Sequence, residues 1–438
     1  MKVQTLIIGA GISGLSTAHF LSKKNSDFIV IESDKSVGGV ISTKIKSGFI
    51  CENGPNTVLI NNDAIKELLN DYNLGESIIY PSKLAEKNRF VIKNGKAVAL
   101  PSHPIQIFTT NLLSSYDKLK ILLEPFKKKH HKNTSVKSFF DHRFGVNFTN
   151  TFVVPFTTGI YAGNIEKMSM KHALSKVWKL EQDFGSVLKG LIKSRKSSSQ
   201  KNQIFSLKKG LSDLNNKIYN RIQKNILLDT RVKSIKKNDS GYVVETNRQT
   251  IKCTKIVSTI PAFCLSELIE DDDLIQQLNN IEYVPANVLH FGFEKKSIKN
   301  PLNGFGVLTK PSDNKSFLGI LFNSQIFEHV SPKDKNLYTV IVGGDRQKEL
   351  CELPKKELES IILKELTDFI KTDSEPIFKN HYVYKKGIPQ YRMKHQELVK
   401  SIERFQSNNP NFYISGNYIN GVSVSDCIKN AKKLNNNL

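Results

Sequence analysis

Residues 5–32 carry the residue types needed to hold a dinucleotide by its pyrophosphate and ribose. Gly9-Ala10-Gly11-Ile12-Ser13-Gly14 is a GxGxxG loop. Gly9 permits a tight turn, Gly11 lets backbone N–H groups approach a pyrophosphate, and Gly14 lets a helix pack close to a strand. The N-terminus of that helix favours the anion. Glu32 stands eighteen residues after Gly14, where a carboxylate can accept hydrogen bonds from ribose hydroxyls. The elements that must position these residues are present in order. Thr5-Leu6-Ile7-Ile8 is an apolar run of strand type. Leu15, Ala18, His19 and Leu21 fall at helical spacing, and Phe28-Ile29-Val30-Ile31 is a second strand that ends on the acid. A glycine loop alone is weak. Strand, loop, helix, strand and acid in register read as a dinucleotide site.

A second glycine signature follows directly. Val37-Gly38-Gly39-Val40-Ile41-Ser42-Thr43 leads through Gly48-Phe49 to Glu52-Asn53-Gly54-Pro55-Asn56-Thr57. Each piece alone reads as a turn. Together they resemble the extended signature of the amine oxidase-like flavoproteins, which points to FAD rather than NAD. The usual form carries Arg where this chain has Val40.

At 438 residues the chain can form two or three domains with a sizeable core. Mean hydropathy is -0.32, and no run of about 18 apolar residues predicts a transmembrane helix. Met1 stands four residues before the first predicted strand, so no signal or transit segment is expected. The formal net charge of +23 suits an anionic partner: nucleic acid, lipid or substrate. Nucleic acid is not expected, because there is one Trp, Trp178, and no zinc-finger spacing. Much of the excess is Lys scattered beside Asn and Ile, as a lysine-rich proteome would give. The five cysteines, Cys51, Cys253, Cys264, Cys351 and Cys427, form no CxxC and imply neither a disulfide framework nor a zinc site. Cys427 lies near the C-terminal glycine segment and reads as a small buried hydrophobe.

The nucleotide domain draws on three separated stretches. After residues 1–80, Ser206 to Leu211 turns into a helix. Strands follow at Ile226 to Leu228, Arg231 to Ile235, Gly241 to Glu245 and Lys255 to Pro261. The third stretch runs from Asn411 through the Gly416 and Gly421 turns into a helix reaching Ala431. Between the first two, Pro104 to Lys196 reads helical. Leu112, Leu113, Ile121, Leu122 and Phe126 suggest an apolar face beside Lys127-Lys128-Lys129-His130-His131-Lys132. Such a pair can lie on an anionic bilayer. Read from residues alone, it is a core helix followed by a solvated loop, with both histidines solvent-exposed. Between the second and third stretches, Asn287 to Phe293, Phe305 to Leu308, Phe317 to Phe322 and Leu337 to Val342 suggest an antiparallel sheet, the floor of an apolar pocket.

Several longer segments resemble the protoporphyrinogen oxidase family over nearly the whole chain. They are Pro155-Phe156-Thr157-Thr158-Gly159-Ile160-Tyr161-Ala162-Gly163, Gly304 to Leu308, Leu318 to Phe322, Ile388-Pro389-Gln390-Tyr391 and Gly416 to Val424. The resemblance implies an α/β and α+β chain in three parts. A Rossmann-like FAD domain spans 1–80, 206–280 and 395–438. A mixed-sheet substrate domain spans 81–103 and 281–394, and a helical membrane-docking domain spans 104–205. It implies non-covalent FAD held by Gly9, Ala10, Gly11, Ile12, Ser13, Gly14, Glu32, Ser33, Gly39, Val40, Gly54, Pro55, Asn56, Thr57, Val232, Gly416, Val422, Ser423 and Val424. Substrate contacts fall on Arg89, Gly159, Leu308, Leu321 and Ile341. Arg89 takes the place of the family's propionate-binding arginine, at the mouth of a predicted hairpin turned by Asn94-Gly95. Many plant members carry an aromatic where Ile341 stands, so this chain offers aliphatic contact instead of ring stacking.

The implied reaction oxidises protoporphyrinogen IX to protoporphyrin IX in haem synthesis, three two-electron transfers to flavin N5, with oxygen or another acceptor restoring the flavin. No Ser-His-Asp set, helically spaced carboxylate pair or metal cluster is seen, so no catalytic base and no metal is assigned. Coproporphyrinogen III oxidation, an amine oxidase or carotenoid desaturase, and a flavin-bearing porphyrin carrier without turnover are the alternatives. The expected location is cytoplasmic, peripheral on the inner face of the cell membrane, and a homodimer is allowed for.

Overall fold

The computed structural model describes residues 1–103, 105–197, 202–299 and 301–438. Pro104, the expected start of the helical stretch, and residues 198–201 within its expected domain lie outside the described residues. The alternating and continuous apolar runs of the sequence form two seven-stranded sheets. In the first, Ile226–Leu227, Phe28–Ile31, Lys2–Ile8, Thr250–Ser258, Gly241–Thr246 and Val232–Asn238 are successive neighbours. Phe412–Ile414 also pairs with Thr250–Ser258. Strands buried on both faces (Leu6, Ile7, Val30, Ile256 and Val257 are all inaccessible) run parallel. On the edge away from Lys2–Ile8, the strand Thr250–Ser258 serves two partners. Its first half pairs antiparallel with Gly241–Thr246, and its second half pairs parallel with Phe412–Ile414. It ends at Ser258, short of the expected Pro261.

The second sheet runs in the order Phe378–Pro389, Tyr283–Glu294, Lys335–Gly343, Gly319–Leu321, Gly306–Leu308, Phe90–Lys93 and Lys96–Ala99. It is mixed, because Gly306–Leu308 and Phe90–Lys93 are parallel. Its rear face supplies Leu289, Phe291, Val307, Ile320, Val340 and Val342 to a core closed by Leu358, Ile362 and Leu366 of the helix Lys355–Ile370. The Phe90–Lys93 hairpin turns at Asn94 and Gly95, both with positive φ, the conformation a two-residue turn of this hand requires. A small sheet joins Val58–Ile60 and Ile78–Ile79 to Gln203–Leu207, a strand that straddles the expected boundary at 205/206.

The helical stretch packs around Phe139, Phe140, Phe144, Met168 and Met170. Two expectations for it are corrected. Leu112 and Leu113 precede the helix Ser115–Leu122, whose start is fixed by a Ser114–Asp117 capping box, and both fold inward with Ile121. The exposed apolar stripe keeps the expected Leu122 and Phe126 and adds Leu119 and Leu123, at the i, i+3, i+4, i+7 spacing of one helical face. His130 is largely buried, with Nδ1 2.8 Å from Glu181 Oε1, while His131 is exposed. No described helix is long and apolar enough to cross a membrane.

Candidate functional site

The glycine loop sits between the strand Lys2–Ile8 and the helix Ile12–Ser22. Two of its glycines are required by the fold. Gly9 has φ +101, and a Cβ on Gly14 would lie 1.9 Å from the Gly9 carbonyl oxygen. Gly11 differs. Its φ of -70 suits any residue, and a Cβ built there meets no heavy atom within 4 Å. The protein's own packing does not need glycine at 11; close approach of a pyrophosphate would. Gly11 caps the helix without a side-chain acceptor, so the first-turn N–H groups of Ser13 and Gly14 have no side-chain cap, an arrangement that favours an anion. The second signature closes on the first. Gly38 N–H donates to the Ala10 carbonyl at 2.9 Å, and a Cβ on Gly39 would come within 3.4 Å of Gly11 Cα.

Glu32 lies at the edge of this cradle. One of its oxygens accepts from Ala10 N–H at 2.7 Å, and the other from Asp34 N–H at 3.0 Å and the Ser33 hydroxyl at 3.1 Å. The Glu32 carbonyl accepts from Thr230 N–H at 2.7 Å, which brings Val232 and the bulge behind it to the same end of the sheet. These groups fit the pyrophosphate and ribose of FAD.

The segment Glu52 to Thr57 carries the loop toward the second sheet. Gly54 is needed there, since a Cβ would lie 1.9 Å from the Val40 carbonyl oxygen. Val40 is itself exposed, and its carbonyl accepts from Tyr384 Oη at 3.3 Å. Glu52 is buried and accepts from Leu211 N–H and the Thr43 hydroxyl, each at 2.8 Å. Burial outweighs those bonds and pushes its carboxyl up to about 7.

The C-terminal segment is fixed by Tyr391 of the IPQY motif. Its hydroxyl donates to the Asn417 carbonyl at 2.6 Å and accepts from Gly421 N–H at 2.7 Å. Gly421 has φ +117. Ser423 then caps the helix Val424–Leu434 by accepting from Asp426 N–H at 3.1 Å. Val424 and Cys427 share one core with Ala10, Ile12 and Leu15, so Val424 packs beside the glycine loop, and Ser423 precedes it on the exposed side. Burial raises the Cys427 thiol to about 11, as a small buried hydrophobe should behave. Gly416 and Val422 flank this turn, and Val422 also packs on the helical core. Gln390, beside Tyr391, donates to the Tyr161 carbonyl at 2.8 Å. One short motif therefore ties IYAG to the glycine turn.

The front face of the second sheet gathers the expected substrate residues. Cross-strand partners share a face. Leu308, Gly319 and Ile341 form one row, and Gly306, Leu321 and Thr339 the next. Two glycines between the aliphatic side chains leave this face flat. Gly159, on the helix Val154–Tyr161, faces it, and a Cβ there would lie 3.2 Å from Leu308 Cδ2. Ala162 ends that helix in the left-handed conformation, and its carbonyl accepts from Asp345 N–H at 2.7 Å. Arg89 stands at the rim, its guanidinium carbon 5.0 Å from the centre of the Phe305 ring. It makes no salt bridge among the described residues.

Sequence reasoning missed His290, Asn323 and Asn380, which join this sheet to the Glu52–Asn56 segment. A histidine in an apolar strand looks like one more alternating position. Only the cross-strand register reveals its neighbours.

Protoporphyrinogen oxidase 2 of Arabidopsis thaliana is 31% identical to this chain, covering 98% of it and 92% of the plant protein. The mitochondrial protoporphyrinogen oxidase of Nicotiana tabacum is 28% identical over 96% of the chain and 92% of its own length. A crystal structure of a protein from Exiguobacterium sp. 255-15 superposes with a TM-score of 0.86 at 21% identity. It covers 99% of this chain and 98% of that one, and it shares the fold. The family model of flavin containing amine oxidoreductases matches residues 12–434, and the chain belongs to that family.

Proposed function

We propose that this protein is an FAD-dependent oxidase that converts protoporphyrinogen IX to protoporphyrin IX in haem biosynthesis. The observation that carries the reading is the flat apolar face of Leu308, Gly319, Ile341 and Leu321, opposed by Gly159, with Arg89 free of a salt bridge at its rim. Bound FAD supplies the two-electron acceptor that the amino acids lack. The chain's own work is binding and orientation. The aliphatic rows exclude water from a macrocycle, and the Arg89 guanidinium offers paired donors to a propionate. On the row that holds Leu321, among the described residues, His290 has both nitrogens already engaged, so it is not available as a base. Substrate aromatisation, rather than a positioned base, then drives proton loss.

Oxygen or another two-electron acceptor completes each of the three cycles. The protein works in the cytoplasm, docked on the inner face of the cell membrane. The exposed Leu119, Leu122, Leu123 and Phe126 stripe beside Lys128 and Lys129 supports that part of the reading. A homodimer would be visible by light scattering.

Anaerobic mixing of the yellow holoprotein with protoporphyrinogen IX tests the reaction. Loss of flavin absorbance with growth of porphyrin fluorescence is expected. An unbleached flavin would overturn the reading. Steady-state kcat/KM on coproporphyrinogen III provides the second arm. A higher value for it would keep the chemistry and change the substrate.

A further inference from the structure

The strand Tyr283–Glu294 lies beside Lys335–Gly343, and His290 sits in register with Thr339 and so continues the row that holds Leu321. His290 is wholly inaccessible. A buried imidazole is costly unless its nitrogens find partners. Here each has one. Nε2 lies 3.2 Å from the carbonyl oxygen of Glu52, and Nδ1 lies 3.2 Å from Asn380 Nδ2. A carbonyl can only accept, so Nε2 carries the proton and Nδ1 accepts from the Asn380 amide. The other hydrogen of that amide goes to Asn53 Oδ1 at 3.1 Å. Burial drops the imidazole to about 4, which keeps this neutral tautomer across the physiological range.

The bonds converge on one target. Glu52 and Asn53 open the segment expected to line the flavin, and Asn56, further along it, accepts from Asn323 Nδ2 at 3.2 Å. From the opposite side, the Glu52 carboxyl is gripped by Leu211 N–H and the Thr43 hydroxyl. The strand before Glu52 also docks on the sheet. Phe49 lies over Gly292, where a Cβ would come 2.7 Å from its ring, and its ring centre is 4.7 Å from that of Phe378. A strand that carries a row of the substrate face thus also holds the flavin segment.

We propose that His290, oriented by Asn380, is a positioning residue that fixes the Glu52–Asn56 segment against the substrate sheet and so sets the approach of substrate to flavin. This rests on the oxidase reading above. Its content is geometric: small misplacements of reacting centres can cost about 100-fold in rate.

The test compares the wild-type holoprotein with His290→Leu, His290→Gln and Asn380→Leu. Four quantities are read: the absorption spectrum of the bound flavin, hydrogen exchange at residues 52–56, the anaerobic rate of flavin reduction at saturating protoporphyrinogen IX, and KM. His290→Leu is expected to slow reduction by roughly 10- to 100-fold with KM changed less than about 3-fold. It should also shift the flavin spectrum and speed exchange at 52–56. A Gln amide can donate to the Glu52 carbonyl and accept from Asn380, so His290→Gln should recover most of each effect. Asn380→Leu should act in the same direction and less strongly, and it decides the matter alone if His290→Leu fails to fold. A folded leucine variant with unaltered spectrum, exchange and reduction rate overturns the proposal. A wild-type flavin that protoporphyrinogen IX does not reduce overturns the oxidase reading instead, and the spectrum and exchange still judge His290.

Discussion

The dinucleotide unit and the helical stretch differ in the charges they bury and the apolar side chains they expose. In the first, Leu6, Ile7, Leu15 and Val30 are inaccessible, and Lys24, Lys35 and Asp34 face solvent. In the second, Arg143, Glu124 and Glu181 are inaccessible, while Leu122 and Phe126 are exposed, Phe126 by 83%. Arg143 donates from Nε to Glu181 at 2.7 Å, from Nη1 to Glu124 at 3.0 Å and from Nη2 to the Gly185 carbonyl at 3.1 Å. Glu124 in turn accepts from the N–H groups of Val187 and Leu188, at the start of the helix Val187–Ser197. An apolar stripe turned to water cannot hold its own loop by burial. The buried ionic cluster fastens the Glu124–Phe126 turn from inside. One region spends its apolar residues on its own core; the other keeps some for an external surface.

The largest expected effect separates two glycines within the first region. Gly14→Ala forces a Cβ into the Gly9 carbonyl and should destabilise the apoprotein itself. Gly11→Val meets no protein atom at its Cβ, so the apoprotein should keep its Tm while the purified protein loses nearly all FAD. Thermal melts of the apo forms with flavin content of the purified proteins check both. A fully loaded Gly11→Val protein would remove the pyrophosphate from this loop.

The second prediction tests whether the buried ionic cluster of the helical stretch is structural. Arg143→Leu leaves two inaccessible carboxylates without their cation, a change that costs about 3–5 kcal/mol in buried pairs. Trp178 is the single tryptophan, lies on the helix Ser175–Phe184 and packs near Phe139, so its fluorescence reports this region in urea. Adding Glu181→Gln should restore part of the midpoint, while Glu124 keeps both oxygens for the N–H groups of Val187 and Leu188. An unchanged Arg143→Leu midpoint would mean that the cluster does not hold the turn.

The two regions also differ in how far they can be read from residues. Gly9 to Glu32 was legible because backbone demands are local: a turn, a close approach, a helix start and an acid within one unit. Leu308, Leu321 and Ile341 came from the family resemblance, and their arrangement in rows came from the strand register. Arg143, Glu124 and Glu181 were not legible. They are far apart in sequence, and a charged residue on a helical stretch reads as a solvated one until its partners are known. The same holds for His290 and Asn380, whose meeting depends on strand register. The stripe was read in the right stretch and in part: Leu122 and Phe126 are exposed as expected, while Leu112, Leu113 and Ile121 fold inward.

Arg89 belongs to neither region, being a rim cation over Phe305. A hydrogen bond to a charged partner contributes about 1.5–3 kcal/mol, so Arg89→Ala should lower kcat/KM roughly 10- to 100-fold, mostly through KM. Arg89→Lys should recover part of it, because the charge remains and the paired geometry does not. Wild-type kinetics for Arg89→Ala would take it out of the site.

The smallest effect concerns the charges beside the exposed stripe. Lys127 donates to the His142 carbonyl at 2.6 Å, so replacing it would disturb the fold as well as the charge. Lys128 and Lys129 are exposed, which makes them the clean probes. A lysine near an anionic surface contributes about 1 kcal/mol, so Lys128→Gln and Lys129→Gln should each weaken vesicle binding roughly 5-fold. The effect should fade at high salt, since screening acts on charge and not on apolar burial. Phe126→Ser should weaken binding more and with little salt dependence, because burying an aromatic side chain contributes about 1.5–3 kcal/mol. Sedimentation with phosphatidylglycerol vesicles at low and high salt reads all three. Equal binding of the lysine variants and weaker binding of Phe126→Ser would leave an apolar dock without charge. Equal binding of every variant would mean that the stripe faces something other than lipid.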